Sequence, residues 1–262
     1  MIQPISYVKK LEGKSNAHLI TFSDGKDYVV KYFQPGFDRS LPNEWVAYCL
    51  GRFLGLPIPF ATIVEIPEEF SVSIPELAEM HLTQHQFASV YIPGCYDGHQ
   101  VSTVSSIVNS QSLAGIILFD YWLCNRDRTR KNILLREDTP NSYQLWAIDH
   151  AEIFASYNWQ HPDSELLPVG ILKSATHQLM AQFITDEGQF IKQMEVIQSI
   201  PILLIEEIVS LIPDDWNVSK TERKEIVTTL LTRRYKILPK LMNGFIKKVY
   251  RPIQSNMNGS RT

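Results

Sequence analysis

One segment, residues 116–150, constrains the fold more than any other part of the chain. It contains an almost wholly apolar run that predicts a buried helix, then a polar loop, then two short apolar stretches. Turn-forming residues separate those stretches, so they predict a β-hairpin. These parts cover residues 116–124, 125–132, 133–135 and 145–148, with the turn at 138–142. The segment ends in Asp149 and His150, which places polar side chains both before and after the predicted hairpin.

Three side chains of this segment have the spacing of a phosphoryl-transfer site. Asp127 and Asn132 lie five residues apart in the loop, and Asp149 follows the hairpin. In kinase-type sites one Asp orients the acceptor hydroxyl, an Asn five residues later holds Mg²⁺, and a second Asp beyond a hairpin holds Mg²⁺ against the phosphates. The alternative is that these residues cap turns, which is common for Asp and Asn. The hairpin and Asp149 favour the kinase-type interpretation.

A lysine inside an apolar strand is a further candidate. Residues 28–32 are β-rich and contain Lys31, whose ammonium can contact nucleotide phosphates. A lysine on an edge strand that discourages aggregation remains an alternative. Residues 5–26 predict a strand, a small-residue loop, a strand and an Asp-Gly turn. The loop contains Gly13 and Ser15 but only one glycine, so its candidacy depends on its position opposite the Lys31 strand.

A helix is predicted after the Lys31 strand. Apolar residues recur at helical spacing through residues 45–54, Ser40 is a candidate N-cap, and Gly55 follows the predicted end. Glu44 lies in the first turn, where a carboxylate stabilises the helix dipole. An ion pair between Glu44 and Lys31 is the alternative, and the sequence leaves both roles open.

The ordered set of motifs resembles the HipA-like kinases, particularly their compact bacterial branch, and more distantly the phosphoinositide kinases. The matching stretches span about residues 10–155 and are residues 12–15, 28–32, 43–44, 54–59, 87–89, 119–122, 125–127, 132 and 148–150. Two positions depart from the family pattern. Thr129 stands where such loops often carry His, and no glycine directly follows Asp149 and His150. Substrate choice and activation mechanism therefore remain open.

The resemblance implies an α+β, bilobal, protein-kinase-like fold with ATP between the lobes. It implies Asp127 as the catalytic base, Asn132 and Asp149 as Mg²⁺ ligands, and Lys31 on the phosphates. The remaining residues of the expected nucleotide-binding set are Glu44, Gly13, Ser15, Phe87, Ala88 and Ser89.

The change in predicted elements along the chain places the lobe boundary near residue 92. The earlier part is strand-rich with one helix, and helical patterns dominate after residue 112 apart from the hairpin. Pro93 and Gly94 end the last predicted N-terminal strand, and the backbone at this junction is a candidate for contacting the adenine edge. We expect a small N-terminal lobe, a larger C-terminal lobe and a disordered polar tail, over residues 1–92, 93–254 and 255–262.

The composition suits a cytoplasmic enzyme. The 262 residues include 28 acidic and 25 basic side chains, a balance that excludes no class of partner. Cys49, Cys95 and Cys124 are widely spaced, which predicts reduced thiols rather than a zinc site or a disulfide framework. Neither a signal peptide nor a membrane-spanning segment is recognisable.

Other chemistries have weaker signals. Residues 220–251 carry ten basic and two acidic side chains, a net charge of +8, which suits either a nucleic-acid patch or a solvated helix face. Few aromatic residues are interleaved there, which favours the solvated face. His81 and His85 have helical spacing but no third ligand for zinc. Ser89 and Ser112 lack a hydrolase context.

The sequence therefore predicts a cytoplasmic, ATP- and Mg²⁺-dependent kinase whose acceptor is a hydroxyl, and Ser or Thr of a protein is the acceptor that we expect. A lipid or small-molecule alcohol as acceptor, a non-catalytic nucleotide-binding module and a nucleic-acid-binding protein remain alternatives. We expect Lys31→Ala to reduce transfer without changing thermal stability. Ser15 is a candidate for self-phosphorylation, because a phosphate there adds negative charge near the expected nucleotide.

Overall fold

A computed structural model describes residues 2–78, 80, 83–162, 167–172 and 174–259 as an α+β protein with two sheets. The strands of the described part are Pro4–Lys10 (β1), His18–Phe22 (β2), Asp27–Lys31 (β3), Ala61–Glu65 (β4), His85–Val90 (β5), Tyr96–Asp97 (β6), Ser106–Ile107 (β7), Ile133–Thr139 (β8) and Ser142–Ala147 (β9). Its α-helices are Ser40–Phe53 (α1), Glu68–Val72 (α2), Pro75–Ala78 (α3), Leu113–Leu123 (α4), Ala175–Gln182 (α5), Gly188–Ser199 (α6), Ile202–Ser210 (α7), Lys220–Thr232 (α8), Leu238–Phe245 (α9) and Arg251–Gly259 (α10). A strand-rich N-terminal part and a mainly helical C-terminal part confirm the predicted fold class.

The N-terminal sheet is antiparallel and has the strand order β1-β2-β3-β5-β4. Successive residues of a strand point to opposite faces, so the register assigns each side chain to one face. Val30 and Ala88 are cross-strand partners on the face that packs in a small core with Leu77 of α3. Lys31 and Phe87 are partners on the opposite face, against which α1 packs. The sheet therefore presents Lys31 to the interior between the two parts of the molecule.

The segment after β4 contains prolines and glutamates, which are typical of loops, but it forms the short helices α2 and α3. Ile74 and Leu77 are buried there against the sheet. Burial of these apolar side chains stabilises an ordered structure in this segment, which its prolines and glutamates alone did not indicate.

The C-terminal part is built around α4, all of whose residues are buried. Helices α5, α6 and α9 pack against α4, which confirms the predicted buried helix. The predicted hairpin is also confirmed: β8 and β9 are antiparallel, with Ile133 opposite Ala147. The short strands β6 and β7 extend it to a second sheet of order β6-β8-β9-β7.

Helix α1 is held by C-terminal elements at several points. Arg39 precedes the helix and pairs with Glu222 of α8 at 2.6 Å, with both side chains mostly buried. The Trp45 indole donates to the carbonyl of Ile208 in α7 at 3.0 Å. Ser40 is the first helical residue rather than the expected N-cap, and no side-chain cap is present. Contacts with distant parts of the chain therefore fix the position of α1 where local capping does not.

Two arginines of the basic C-terminal region, Arg233 and Arg234, have a structural role. Both side chains are buried, and Arg233 donates to the carbonyls of Tyr121 and Trp122 at the end of α4. A cation there complements the helix dipole.

The expected disordered tail, residues 255–262, is corrected in part. Residues 255–259 continue α10, which the Gln254 side chain anchors to carbonyls near α5, and residues 260–262 lie outside the described residues. Within the described residues, no helix is long and apolar enough to span a bilayer.

Candidate active site

The loop between α4 and β8 places Asp127 and Asn132 against each other. Helix α4 ends where Cys124 adopts a left-handed conformation with φ 54°, which turns the chain into the loop. The Asn132 amide donates to the Asp127 carboxylate at 3.0 Å and to the Asp127 carbonyl at 2.6 Å. This leaves the amide oxygen of Asn132, on a side chain that is nearly buried, without a donor among the described residues. A carboxylate and a free amide oxygen thus lie side by side at the start of the hairpin.

Lys31 joins two carboxylates at the other side of the site. Its ammonium donates to Glu44 at 2.5 Å and to Asp149 at 2.9 Å, and the backbone N–H of His150 donates to Glu44 at 3.1 Å. Burial opposes the Lys31 charge, but the Asp149 and Glu44 carboxylates outweigh it and raise the pKa of Lys31. Burial likewise opposes the Asp149 charge, but the Lys31 ammonium lowers the pKa of Asp149 to about 2. The alternative of an edge-strand lysine does not apply, because β3 lies inside the sheet.

The backbone around Asp149 is unusual. Asp149 has φ 55°, and Phe154 and Ala155 have φ 56° and 63°, a region that L-residues other than Asn and Asp seldom adopt. Non-glycine residues in this region cost free energy and cluster at functional sites. The segment is held by the buried amide of Asn43, which donates to the carbonyls of Ala151 at 2.6 Å and Ser156 at 3.1 Å. Helix α1 therefore fixes both the Lys31 ion pair and the chain that follows Asp149.

The loop between β1 and β2 carries Gly13 and Ser15, two residues of the expected nucleotide-binding set. It is closed by a hydrogen bond from the N–H of Leu11 to the carbonyl of Ala17 at 2.8 Å, and Gly13 has φ 134°, which suits glycine alone. No described atom lies within 4 Å of the position a Gly13 Cβ would take, so the loop is open at this point. Ser15 is half-buried and makes no hydrogen bond within the described part.

Glu152 shows that this loop and the carboxylates converge. Burial and the Asp127 and Asp149 carboxylates raise the pKa of Glu152, while the Lys14 ammonium from the loop opposes the shift. These four charges therefore lie within electrostatic reach of one another. Glu152 was missed from the sequence, although its position three residues after Asp149 was an available signal.

The three expected nucleotide-binding residues of β5 lie in different environments. Phe87 is buried in the large core beside Tyr48, on the same sheet face as Lys31. Ser89 shares that face and is half-exposed. Ala88 is fully buried on the opposite face, and its strand is paired on both sides, so the structure does not bring Ala88 into the site. The period of two along a strand is the reason for this separation.

After β5, few backbone N–H groups are free to contact a nucleotide base. The N–H groups of Val90 and Tyr91 donate to the carbonyls of Phe60 and Asp27, at 2.7 and 2.9 Å. Pro93 has no N–H group, so the N–H groups of Ile92 and Gly94 are the donors of this junction for which the described residues provide no acceptor. The expected contact between backbone and adenine edge therefore narrows to residues 92–94.

The histidine pair considered for zinc does not form a described site. His85 pairs with Asp215 at 2.7 Å, and His81 lies outside the described residues. Within the described part, no three His, Cys, Asp or Glu side chains are arranged to hold a metal ion.

The fold and the sequence both match known kinases. Among solved structures, the proinflammatory kinase CtkA of Helicobacter pylori superimposes with a TM-score of 0.60 at 15% identity, covering 93% of this chain and 97% of that one. The Golgi casein kinase with Mn/ADP bound gives a TM-score of 0.50 at 14% identity, covering 94% and 74%. A search of curated protein sequences found no significant match. The family model of the HipA-like kinases matches residues 5–246, and the chain therefore belongs to the HipA-like kinase family.

Proposed function

We propose that this protein is an ATP- and Mg²⁺-dependent kinase that transfers the γ-phosphoryl group to a hydroxyl acceptor. The acceptor that we propose first is Ser or Thr of a protein. The observation that carries the proposal is the pair of hydrogen-bonded units, Asp127 with Asn132 and Lys31 with Glu44 and Asp149. The Golgi casein kinase, which shares the fold, was crystallised with a nucleotide and a divalent metal, and this supports the same cofactors here. We place the protein in the cytoplasm, where ATP is present and its three free thiols stay reduced.

The side chains present suit Mg²⁺ and a nucleotide. Asp149 is 31% exposed and Asn132 has a free amide oxygen, so both supply the oxygen ligands that Mg²⁺ prefers. Two protein ligands suffice, because Mg²⁺ at kinase sites is bound by one or two side chains together with phosphates and water. When bound, Mg²⁺ neutralises negative charge on the phosphates. We propose that the nucleotide lies between the lobes of residues 1–92 and 93–254.

Each residue then has a definite task. Lys31 places a positive charge at the phosphates, and Glu44 holds that ammonium in position. The loop bearing Gly13 and Ser15 covers the phosphates, and Ser89 lies on the face of β5 that borders the nucleotide. Asp127 orients the acceptor hydroxyl and accepts its proton. Positioning and charge neutralisation dominate in phosphoryl transfer, which agrees with a site built from fixed ion pairs.

Incubation of the purified protein with labelled ATP, Mg²⁺ and a cell lysate tests the proposal. Transfer of label to proteins, followed by identification of phosphorylated Ser or Thr, supports the kinase and names its acceptor. Labelled lipid or small alcohol without labelled protein favours another acceptor class. Nucleotide binding by calorimetry without transfer to any of these acceptors indicates a non-catalytic nucleotide-binding module.

Lys31→Ala is expected to reduce transfer strongly and also to lower the melting temperature, which revises the expectation from sequence. The substitution leaves Glu44, whose side chain is only 4% exposed, without its cation. Removing one partner of a buried pair costs about 3–5 kcal/mol, or roughly 6–20 °C in a chain of this size. Calorimetric unfolding without ATP measures the effect.

The pH dependence of Lys31→Ala identifies Glu44 as the cause. Burial raises the pKa of Glu44, so in the variant the folded state takes up a proton more readily than the unfolded state. The loss of stability should be largest at neutral pH and shrink as pH falls toward the ordinary value of about 4.3. Lys26→Ala is the matched control, because the Lys26 side chain is 61% exposed. Full transfer at limiting ATP in Lys31→Ala would contradict the assignment.

Phosphorylation of Ser15 is expected to inhibit the enzyme. A phosphate there adds a charge of about −1.5 to −2 within the loop that covers the nucleotide phosphates. Mass spectrometry after incubation with ATP should detect phosphate on Ser15. Ser15→Asp should weaken ATP binding, whereas Ser15→Ala should bind ATP normally. An active preparation in which Ser15 stays unmodified would end this proposal.

A further inference from the structure

We propose that Asp120 and Arg128 form a buried brace that fixes the relative positions of Asp127, Asn132 and Asp149. This inference rests on the proposed function and concerns residues to which no catalytic role belongs. The name "brace" refers to these two residues alone. Both side chains are fully buried and so cannot reach the expected nucleotide or acceptor, which makes both of them positioning residues.

The brace is a fully buried, bidentate ion pair. Both side chains have no exposed surface, and Arg128 donates through Nε to Asp120 Oδ2 at 2.8 Å and through Nη2 to Oδ1 at 3.1 Å. Asn125 donates to Oδ1 at 2.9 Å, and His177 Nε2 lies 2.9 Å from Oδ2. Burial opposes the Asp120 charge, but Arg128 and His177 outweigh it and lower the pKa of Asp120. Asp120 therefore remains a carboxylate with its lone pairs satisfied.

The third nitrogen of the Arg128 guanidinium group, Nη1, joins the two segments that contain the expected Mg²⁺ ligands. Arg128 Nη1 donates to the carbonyl of Asn132 at 2.6 Å and to that of Ile148 at 2.8 Å. Ile148 directly precedes Asp149. One guanidinium group therefore fixes the spacing between Asn132, just before β8, and Asp149, just after β9. The Ile148 N–H donates in turn to the Asn132 carbonyl at 3.1 Å.

The same pair also positions Asp127. Arg128 follows Asp127 in the chain, and the side-chain oxygen of Asn125 accepts the Asp127 N–H at 3.1 Å. Asn125 is itself held by the Asp120 carboxylate. The Arg128 carbonyl accepts a hydrogen bond from Ser174, the N-cap of α5, at 2.8 Å. The loop is therefore fixed from α4 on one side and from α5 on the other.

Stability alone does not explain this arrangement. Well-packed apolar residues often replace a buried ion pair without loss of stability, so a buried pair is weak evidence for a stabilising role. Apart from their mutual ion pair, the side chains of the brace bond within the described residues to the loop between α4 and β8, to the chain before Asp149 and to α5. A displacement of about 1 Å at a reacting group can lower the rate about 100-fold, so precise spacing of these segments has a direct effect on transfer.

Arg128→Lys tests the inference because it keeps the charge but loses the planar, five-donor group. Mg²⁺ requires near-ideal octahedral geometry at short metal–oxygen distances. Mn²⁺ takes the same oxygen ligands, but it is larger and its half-filled d shell gives no preference among geometries, so it tolerates displaced ligands better. We expect Arg128→Lys to lower kcat at least about 10-fold with Mg²⁺ and less with Mn²⁺. The ratio of the Mg²⁺ and Mn²⁺ rates should therefore fall several-fold. A loss of folded protein cancels from that ratio, so a merely structural role would leave it unchanged.

Arg234→Lys is the matched control. Arg234 is equally buried and donates to the backbone carbonyl of Ile200 at 2.6 Å. Its partners within the described part of the chain all lie outside the loop between α4 and β8. Its metal-ion ratio should equal that of the wild type. Should Arg128→Lys fail to fold, Ser174→Ala decides the question, because it removes only the hydrogen bond to the Arg128 carbonyl and the cap of α5. It should shift the ratio in the same direction by a smaller factor.

The outcomes separate the brace from the proposed function. An active wild type with an unchanged ratio in folded Arg128→Lys, or in Ser174→Ala where that variant decides, overturns the brace. If the wild type binds nucleotide but transfers nothing, the kinase proposal fails, and calorimetry of nucleotide binding with each metal takes the place of the rates. A metal-dependent loss of affinity in Arg128→Lys alone then supports the brace, and equal affinities overturn it. A wild type that binds no nucleotide overturns both.

Discussion

Asp149→Asn should abolish detectable phosphoryl transfer and weaken Mg-ATP binding, while the protein remains folded. The substitution removes the charge that Asp149 offers to Lys31 and, in the proposed site, to the metal. Electrostatic groups of this kind contribute several kcal/mol, so we expect a loss of at least about 100-fold in transfer. Asparagine retains the shape of the side chain and tolerates the left-handed conformation at φ 55°, so the backbone has no reason to move.

Calorimetry with Mg-ATP and a transfer assay measure the two effects separately. Asp149→Gly is a useful companion, because glycine adopts this φ without strain and removes the side chain completely. Both variants should lose binding and transfer together, since they share only the missing carboxylate. The wild type should keep Asp149 ionised at all pH values where it is assayed, because the pKa near 2 lies far below them. Unchanged affinity and unchanged transfer in Asp149→Asn would remove Asp149 from the site.

The stability of the protein at acid pH also depends on the Asp149 carboxylate. The pKa of Asp149 is lower in the folded protein than the ordinary value of about 3.9, so the group stabilises the fold at and above that pH. This contribution is lost as pH falls from about 3.9 through 2. In Asp149→Asn this part of the acid transition should disappear.

The elements around the site could be predicted because their signals are local. The apolar run of α4, the turn before β9 and the spacing of Asp127 and Asn132 all lie within about 35 consecutive residues. Hydrophobic periodicity and turn chemistry act over such distances. The Lys31 ion pair with Glu44 joins neighbouring elements, and the sequence therefore offered it as one of two alternatives.

What the sequence did not reveal depends on contacts between distant residues. Asp120 is a single charge inside an apolar helix, and nothing local identifies Arg128 and His177 as its partners. Arg39 and Glu222 lie 183 positions apart, yet they help to fix α1. Ala88 was assigned to the nucleotide because the strand was recognised but not which of its faces carries Lys31. A one-residue shift reverses every side chain of a strand, and only the tertiary pairing sets that choice.

Asp127→Ala should slow transfer by about 10²–10⁴-fold and leave Mg-ATP binding nearly intact. In the proposed site Asp127 contacts the acceptor hydroxyl rather than the metal, so its loss affects the chemical step and not nucleotide affinity. The Asp127 carboxylate accepts a hydrogen bond from Asn132 at 3.0 Å, and the second bond of that amide, to the Asp127 carbonyl, survives the substitution. Asn132 therefore keeps its orientation, which makes retained binding a specific expectation of this geometry.

The contrast between Asp127→Ala and Asp149→Asn then identifies the role of each carboxylate. Retained affinity with lost transfer in the first variant, and loss of both in the second, assigns acid–base chemistry to Asp127 and metal binding to Asp149. Equal loss of affinity in both variants would instead make Asp127 a metal ligand and contradict the proposed assignment. Unchanged transfer in Asp127→Ala would return Asp127 to a turn-capping residue. Among the described residues, the Asp127 carboxylate is hydrogen-bonded by Asn132 alone, and the Asp127 N–H is bonded to the Asn125 side chain. The carboxylate is therefore removable without disturbing the Lys31 ion pairs, and this separation makes the two carboxylates distinguishable by experiment.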